Sequence, residues 1–354
     1  MLNMFVRDCW YVAGWSHEVA GDALLARTVL GEPICLFRRT DGTIAAVADR
    51  CAHRGAPLSR GRREGDAIRC LYHGMKFDAD GTCIEVPGQD RIPPRACVRR
   101  YPVIERNNWL WIWMGDAAKA DPAAVPDTWS LGRADWPYRP GYHHFAAPHM
   151  LICDNLLDFS HIGYVHASTL GGTENIALSR PTVSRGRSWV RVERWLTNEV
   201  PAPFHARVAA FPGRVDRWHF YDFHVPGVLV MHSGVQATGT GAPQGIFKDA
   251  LEFRSCQAVT PETSTSAHYF YAVPRNFAVD DPAITETVFN DIVAAFEEDR
   301  AMIEAQARNL GMTPDWPMIP IAADAALAQF RRLMSERLAA DGANGAAHDT
   351  RTTV

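Results

Sequence analysis

Cys51-Ala52-His53-Arg54-Gly55-Ala56-Pro57 and, after sixteen residues between His53 and Cys70, Cys70-Leu71-Tyr72-His73-Gly74 each place a thiol first and an imidazole second in a turn-rich loop. Thiolate and imidazole together select zinc or an iron–sulfur cluster over the oxygen-seeking cations. A structural zinc site with two Cys and two His accommodates the same four residues. The common zinc spacing, however, pairs cysteine with cysteine and histidine with histidine, whereas each loop here carries one of each. In a two-iron centre of mixed ligation, two cysteines hold one iron and two histidines the other. The matched order lets each loop give one ligand to each iron, so iron–sulfur is the favoured reading and zinc the alternative.

Around these loops the chain reads as short strands and turns up to about Gly115. Ala26–Leu30, Ile34–Arg38, Ile44–Ala48, Ala67–Cys70, Met75–Phe77 and Asn108–Met114 are strand-like runs, with Asp41-Gly42 and Asp80-Gly81 as hairpin signals. Trp109-Leu110-Trp111-Ile112-Trp113-Met114 is apolar at both alternating positions, which predicts an interior strand. Gly115 to Pro126, rich in Ala, Asp and Pro, reads as a linker or a connecting excursion. Beyond it come a helical segment near Met150–Val165 and strand-like runs at Trp189–Trp195, Arg217–Val225, Val228–His232, Leu251–Val259 and Ser266–Val273. Two helices, Ala283–Leu310 and Ala323–Ala340, close the chain. The expected layout is α+β: an antiparallel β domain over residues 1–115 carrying both ligand loops, a sheet-and-helix domain over 116–340, and a polar, disordered tail over 341–354.

A second cluster of chemistry lies in Asp154-Asn155-Leu156-Leu157-Asp158-Phe159-Ser160-His161-Ile162-Gly163-Tyr164-Val165-His166. At about 100° per residue, Asp154, Asp158 and His161 share a helix face. His166 falls about 140° from His161 on an ideal helix, so the two imidazoles converge only if the helix bends or ends, which Gly163 permits. Two histidines and one carboxylate on one side of an iron form the facial arrangement of mononuclear non-haem oxygenases. The carboxylate candidate is distant in sequence. Ile292, Ala295, Asp299, Met302 and Gln306 repeat at helical spacing and put Asp299 on the buried stripe, with Glu298 about 100° off that line. An acid on an apolar face is costly unless paired or bound to metal. The rival reading, satisfied core histidines and an ion-paired acid, loses weight because a one-electron centre upstream needs an acceptor.

Composition narrows the remainder. The 354 residues suffice for about two domains, and 36 basic against 40 acidic residues leave a net charge of −4, so neither nucleic acid nor an anionic membrane is an expected partner. The opening residues lack a secretion signal and no apolar run is long enough to span a bilayer, which predicts a cytoplasmic protein. Cys9, Cys35, Cys83, Cys97, Cys153 and Cys256 have no matched partners and read as inert, mostly buried thiols. No Gly-x-Gly-x-x-Gly dinucleotide signature is present.

Cys9–Ala13, Cys51–Phe77, Asp154–Ser168, Thr260–Thr263, Arg275–Phe277 and Glu298–Gln306 together resemble the Rieske non-haem iron aromatic-ring oxygenases, above all the vanillate O-demethylase and dicamba monooxygenase branch. The resemblance implies a Rieske [2Fe-2S] cluster on Cys51, His53, Cys70 and His73, and a catalytic mononuclear Fe(II) on His161, His166 and Asp299. It also implies a helix-grip (START-like) catalytic domain and a homotrimer. Asp158 would bridge His161 to a cluster histidine, at the position of His73, in the next subunit, and Asn155 would stand beside the iron. Rough register with the relatives brings His232 and Gln257 to strands that could face the substrate.

The activity so implied is O2-dependent demethylation of a methoxybenzoate such as vanillate, with loss of formaldehyde. Its electrons come from NADH or NADPH through a separate flavin and iron–sulfur reductase. The alternatives are oxidation of another small aromatic, such as a sulfonated toluene or a chlorinated methoxybenzoate, and a pure electron-transfer protein. An iron content of about three per chain marks the oxygenase and about two the carrier.

Overall fold

Strands in the first third of the chain are short because turn residues interrupt every apolar run. They are β1 (Cys9–Trp15), β2 (Leu25–Val29), β3 (Glu32–Arg38), β4 (Ile44–Ala48), β5 (Arg62–Glu64), β6 (Ala67–Arg69), β7 (Lys76–Asp78), β8 (Cys83–Glu85), β9 (Val103–Arg106) and β10 (Trp109–Met114). They pair into three sheets, ordered β1-β10-β9, β2-β3-β4 and β5-β6-β7-β8. The computed structural model describes residues 5–171 and 174–349, with side chains through residue 341. As its two-sided apolar pattern predicts, β10 is the middle strand of its sheet and is buried throughout. Leu30 and Gly31, both at positive φ (53° and 77°), turn β2 into β3, the conformation that a tight hairpin requires.

This unit extends through Val125 and takes in Thr260–Ser264. The segment after Gly115 is therefore not a free linker. Its Asp116 amide donates to Asp8 Oδ1 (2.7 Å), Lys119 pairs with Asp8 (2.6 Å), and Trp10 Nε1 donates to the Asp121 carbonyl (2.8 Å). Side-chain caps from Asp116 and Asp121 begin two 3₁₀ turns there, so local hydrogen bonding replaces the expected looseness.

The second unit spans Pro126–Val259 and the chain from Thr265 onward. Its seven strands are β11 (Gly141–Phe145), β12 (Thr182–Arg185), β13 (Trp189–Glu199), β14 (Val215–His224), β15 (Val228–Ala237), β16 (Leu251–Thr263) and β17 (Ser266–Ala272). They form one sheet ordered β11-β17-β16-β15-β14-β13-β12. The helices are α1 (His149–Leu157), α2 (Ile162–Val165), α3 (Asn175–Leu178), α4 (Pro203–Val208), α5 (Pro282–Met312) and α6 (Ala325–Asp349). The molecule is thus α+β. No helix among the described residues is long and apolar enough to cross a membrane.

Several expectations shift. The buried stripe of α5 runs Val288, Ile292, Ala295, Phe296, Asp299, Ile303, and Met302 is exposed (57%). A straight helix at 3.6 residues per turn drifts off the spacing assumed for Met302 and Gln306. The backbone of α6 is helical through Asp349, where the sequence suggests a disordered tail; alanine-rich composition favours helix, and residues 350–354 of that tail lie outside the described residues. Among the unmatched cysteines Cys97 is exposed, and all are free thiols.

Trp111 is fully buried in β10 and meets Trp109 edge to face at 5.5 Å between centroids. Trp111→Ala is expected to cost about 3–5 kcal/mol, read as bleaching of the iron–sulfur absorption at a lower temperature on heating. Because Trp111 Nε1 has no hydrogen-bond partner, Trp111→Phe is expected to cost much less.

Candidate active site

Each thiol–imidazole loop is closed by the same two backbone hydrogen bonds. The Cys51 amide donates to the Ala56 carbonyl and Gly55 back to Cys51 (both 2.8 Å); the Cys70 amide donates to the Met75 carbonyl (2.8 Å) and Gly74 back to Cys70 (2.9 Å). Both glycines sit at positive φ, 69° and 78°, where a side chain is strained. A Cβ on Gly74 would also lie 2.7 Å from Pro87. The two loops are therefore geometric copies, each presenting one Sγ and one imidazole. Cys51 and Cys70 are buried among Phe37, Val47, Leu58, Ile68 and Phe77, while His53 and His73 are exposed with ring centroids 4.5 Å apart. Burial pushes the Cys51 thiol up, as does its neighbour Cys70, while the amides of His53 and Arg54 oppose this by pointing at its sulfur. Two buried sulfurs, with two exposed imidazoles beside them, fit a [2Fe-2S] cluster of mixed ligation.

The second centre is built by a helix that stops early. α1 ends at Asp158, where φ −120° and ψ 94° leave the helical region, and the Tyr221 hydroxyl donates to the Leu157 carbonyl (3.1 Å). The Asp158 carboxylate accepts from the Ser160 amide (2.8 Å) and starts a 3₁₀ turn, Phe159–His161. After α2 the chain widens into a π-helical turn, Ala167–Gly171. Asp158 ends α1 ahead of both rings, and the chain does not break at Gly163, which is buried inside α2; it leaves helical backbone at His166 itself, φ −108° and ψ 27°. A side-chain oxygen competing for a nearby amide ends a helix more decisively than a glycine's permissiveness.

As a result the ligand atoms of His161, His166 and Asp299 all lie within 4.8 Å of one another. Asp299 Oδ1 is 3.1 Å from His166 Nε2 and 3.5 Å from His161 Nε2. Both rings are anchored at Nδ1, His161 by the Asp158 carbonyl and His166 by Glu298 Oε2 at 2.7 Å. Anchoring at Nδ1 fixes the tautomer and leaves the Nε2 lone pair for a metal. Burial pulls His161 below the usual imidazole range. Burial acts on His166 in the same direction, but the carboxylates of Asp299 and Glu298 outweigh it and raise the group. Two Nε2 atoms and one carboxylate on one side of a cavity fit a mononuclear iron with open positions.

Asn155 belongs to this centre: its Nδ2 donates to Asp299 Oδ1 (2.9 Å) and lies 3.4 Å from His161 Nε2. Asp158 meets His161 through its main-chain carbonyl rather than its carboxylate, so the expected intrachain carboxylate contact is replaced. Asp154 is turned to α6, paired with Arg331.

The cavity beside the ligands is walled by Leu156, Phe159, Ile162, Phe204, Phe253 and Phe296. Gln257 lines it as expected, held by the Tyr269 hydroxyl (2.6 Å) and by Ser255 Oγ (2.9 Å). His232 does not. Met231 and Ser233 line the cavity, and on a strand the residue between them points to the other face. There His232 pairs with Glu252 at 2.7 Å and accepts from Trp218 Nε1 at 3.2 Å. Sequence reasoning missed Glu298, whose nearest signal is its place in Glu297-Glu298-Asp299, and missed Arg217, His205 and His219, which also line the cavity.

His161→Ala and Asp299→Ala are each expected to lower bound iron from about three to about two per chain while leaving the visible spectrum of the cluster intact. Full iron retention in either variant would remove that residue from the ligand set. Glu298→Gln is expected to weaken Fe(II) binding about ten- to hundredfold in an Fe(II) titration. An unchanged affinity would reduce Glu298 to a packing role.

Comparison with known proteins bears on the same two centres. Residues 9–102 match the Rieske [2Fe-2S] domain and residues 145–340 the vanillate O-demethylase oxygenase C-terminal domain. The chain is 47% identical over 342 residues to the toluene-4-sulfonate monooxygenase system iron-sulfur subunit TsaM1 of Comamonas testosteroni, covering 96% of this chain and 98% of that one. It is 35% identical to a vanillate O-demethylase oxygenase subunit of Pseudomonas sp. (strain HR199 / DSM 7063), with 96% of each covered. Dicamba monooxygenase bound to 3,6-dichlorosalicylic acid superposes with a TM-score of 0.89 at 30% identity, over 96% of this chain and 99% of that one. The match to an iron–sulfur domain spans both thiol–imidazole loops, and the protein belongs to the Rieske non-haem iron oxygenases, with a Rieske [2Fe-2S] domain and a mononuclear iron catalytic domain.

Proposed function

We propose that this protein is the terminal oxygenase of a multicomponent monooxygenase that hydroxylates a methyl carbon of a small aromatic acid, with arenesulfonates of the toluene-4-sulfonate type as leading substrates. The observation that carries this reading is full-length 47% identity to a toluene-4-sulfonate monooxygenase subunit, together with a phenyl-sized apolar cavity opening on His161, His166 and Asp299. For such a substrate the balance is arene–CH3 + O2 + NAD(P)H + H+ giving arene–CH2OH + H2O + NAD(P)+. The nicotinamide would be oxidised by a separate flavin and iron–sulfur reductase. When bound, the cluster supplies electrons singly and the mononuclear iron supplies the site of dioxygen reduction.

The residues of the chain do the rest. His161, His166 and Asp299 leave one side of their ion open to reactants, and Asn155 fixes the carboxylate of Asp299. Phe159, Phe204, Phe253 and Phe296 hold the ring and exclude water. Asp158 is proposed to accept a hydrogen bond from a cluster histidine, at the position of His73, of a neighbouring copy in a trimer; its partly exposed side chain is available for that role.

A second reading is O-demethylation of a methoxybenzoate such as vanillate, favoured by the vanillate and dicamba relatives. The same oxygen insertion into a methoxy carbon gives a hemiacetal, which collapses to formaldehyde and a phenol. With a surrogate reductase, toluene-4-sulfonate is expected to yield 4-(hydroxymethyl)benzenesulfonate with one O2 consumed per NAD(P)H. Formaldehyde from vanillate, with no product from the sulfonate, would replace the first reading by the second. Asp158→Asn is expected to keep both metals and to slow reduction of the catalytic iron about ten- to hundredfold; wild-type single-turnover rates would remove the bridge.

A further inference from the structure

The cavity that opens on the iron ligands is largely apolar, with Ser233, Ser255 and Gln257 in its lining and, away from the ligands, its basic side chains along one wall. There β14 presents Arg217 and His219, two residues apart and so on one face of the sheet, and α4 presents His205 beside them. Arg217 and His205 are almost wholly buried, 4% and 5% exposed. Arg217 Nε, His205 Nδ1 and both ring nitrogens of His219 have no hydrogen-bond partner. A buried polar group left without a partner costs about 1–3 kcal/mol, more when charged, so four such nitrogens around one cavity call for a ligand with several acceptors.

The charge balance has the same sense. Burial lowers Arg217 only to about 10, against the pull of Glu199, so it is a full cation at neutral pH. The carboxylate of Glu199 accepts from Asn175 Nδ2 at 3.1 Å. Burial, and then the neighbouring Arg217, push both imidazoles well below their usual range, with His219 adding to the effect on His205 and Arg194 to that on His219. The wall is thus one guanidinium flanked by two neutral rings, each able to turn an N–H toward an anion. Arg217 is held in place from the far side, where its NH1 donates to the Gly171 carbonyl (3.0 Å) at the end of the π-helical turn that follows His166.

We propose that Arg217, His205 and His219 form the acid-binding subsite of this cavity, with three donors converging on the three oxygens of an arenesulfonate. The assignment rests on the aromatic-acid reading above and adds to it the residues that select the acid. A planar carboxylate offers two oxygens and leaves one of the three donors unanswered, so a sulfonate binds more tightly than the matching carboxylate. An uncharged arene of the same shape gains nothing from the wall. Because the subsite and the iron ligands line one cavity, the ring of a bound acid spans between them and turns its para methyl toward His161, His166 and Asp299.

The test is direct binding to the iron-loaded full-length protein, by calorimetry, of toluene-4-sulfonate, 4-methylbenzoate and neutral 4-methylanisole. The wild type is expected to bind the sulfonate more tightly than the carboxylate. Arg217→Met is expected to weaken the sulfonate about ten- to hundredfold and to leave 4-methylanisole unchanged, with Arg217→Lys recovering part of the loss. Equal weakening of the acid and the neutral arene would mean that Arg217 only supports the fold, and no weakening would place the acid elsewhere; either overturns the subsite while the aromatic-acid reading stands. If the wild type binds neither acid, both fall together. Should Arg217→Met not fold, His219→Leu decides: it is expected to reduce the preference for sulfonate over carboxylate, and an unaltered ratio would overturn the assignment.

Discussion

Everything at the catalytic centre depends on which nitrogen of each imidazole carries its proton. His161 and His166 present Nε2 to Asp299 because Nδ1 is already committed, to the Asp158 carbonyl in one case and to Glu298 in the other. A free imidazole exchanges its tautomers, and a buried one without an acceptor at Nδ1 would bring a proton where a metal must go. The two anchors differ in kind. The Asp158 carbonyl is neutral and set by the backbone, whereas Glu298 is a charged side chain that also accepts from Thr169 Oγ1 at 2.8 Å. One ligand ring is therefore fixed by the fold and the other by a side-chain network, which makes His166 the more tunable of the pair.

That commitment requires an interrupted helix. On one ideal helix the two histidines would diverge; here the tight turn Phe159–His161 runs into the short α2 and the backbone leaves the helical region at His166, φ −108° and ψ 27°, with the rings 5.2 Å apart and the π turn beyond. The π turn also exposes carbonyls, and these are used. Arg207 donates to Thr169 (2.9 Å) and Arg217 to Gly171. A Cβ on Gly171 would come within 2.3 Å of the Ile162 carbonyl, so the close return of the chain over α2 requires a glycine at that point.

The candidate ligand groups are legible in the sequence because each belongs to a local pattern whose chemistry is specific: thiol with imidazole in two loops, paired imidazoles, and an acid on an apolar helix stripe. The strands were legible for the same reason, since β10 and the β13 to β17 runs are apolar at strand spacing. What escaped depends on differences of a single residue. His232 was placed in the cavity by approximate register, and a shift of one position along β15 exchanges it for Met231 or Ser233. Met302 was placed on the buried stripe of α5, where the helix turns Ile303 inward instead. Glu298 was set aside for lying off that stripe, yet that offset is what lets it reach past Asp299 to the far nitrogen of His166. Periodicity locates faces, whereas the partner of a side chain depends on elements distant in sequence.

The same one-residue parity explains how a single sheet supports two unlike environments. Along β14, Arg217, His219 and Tyr221 alternate with Trp218, Phe220 and Asp222. The first set meets Val235, Ser233 and Met231 across the ladder. Behind the sheet Trp218 and Phe220 pack with Trp195, Phe247 and the His232–Glu252 pair. A slip of one residue would bury indoles against the iron cavity and send a guanidinium into an aromatic cluster, so the register is strongly specified from both faces. The ladder between β13 and β14 shifts between Leu196 and Glu199, which sets Glu199 opposite Val215, from where its charge acts on Arg217. Burial works against the charge of the guanidinium, and the nearby carboxylate of Glu199 works for it. The irregularity in the sheet thus preserves the one feature of the wall that distinguishes an acid from a neutral ring.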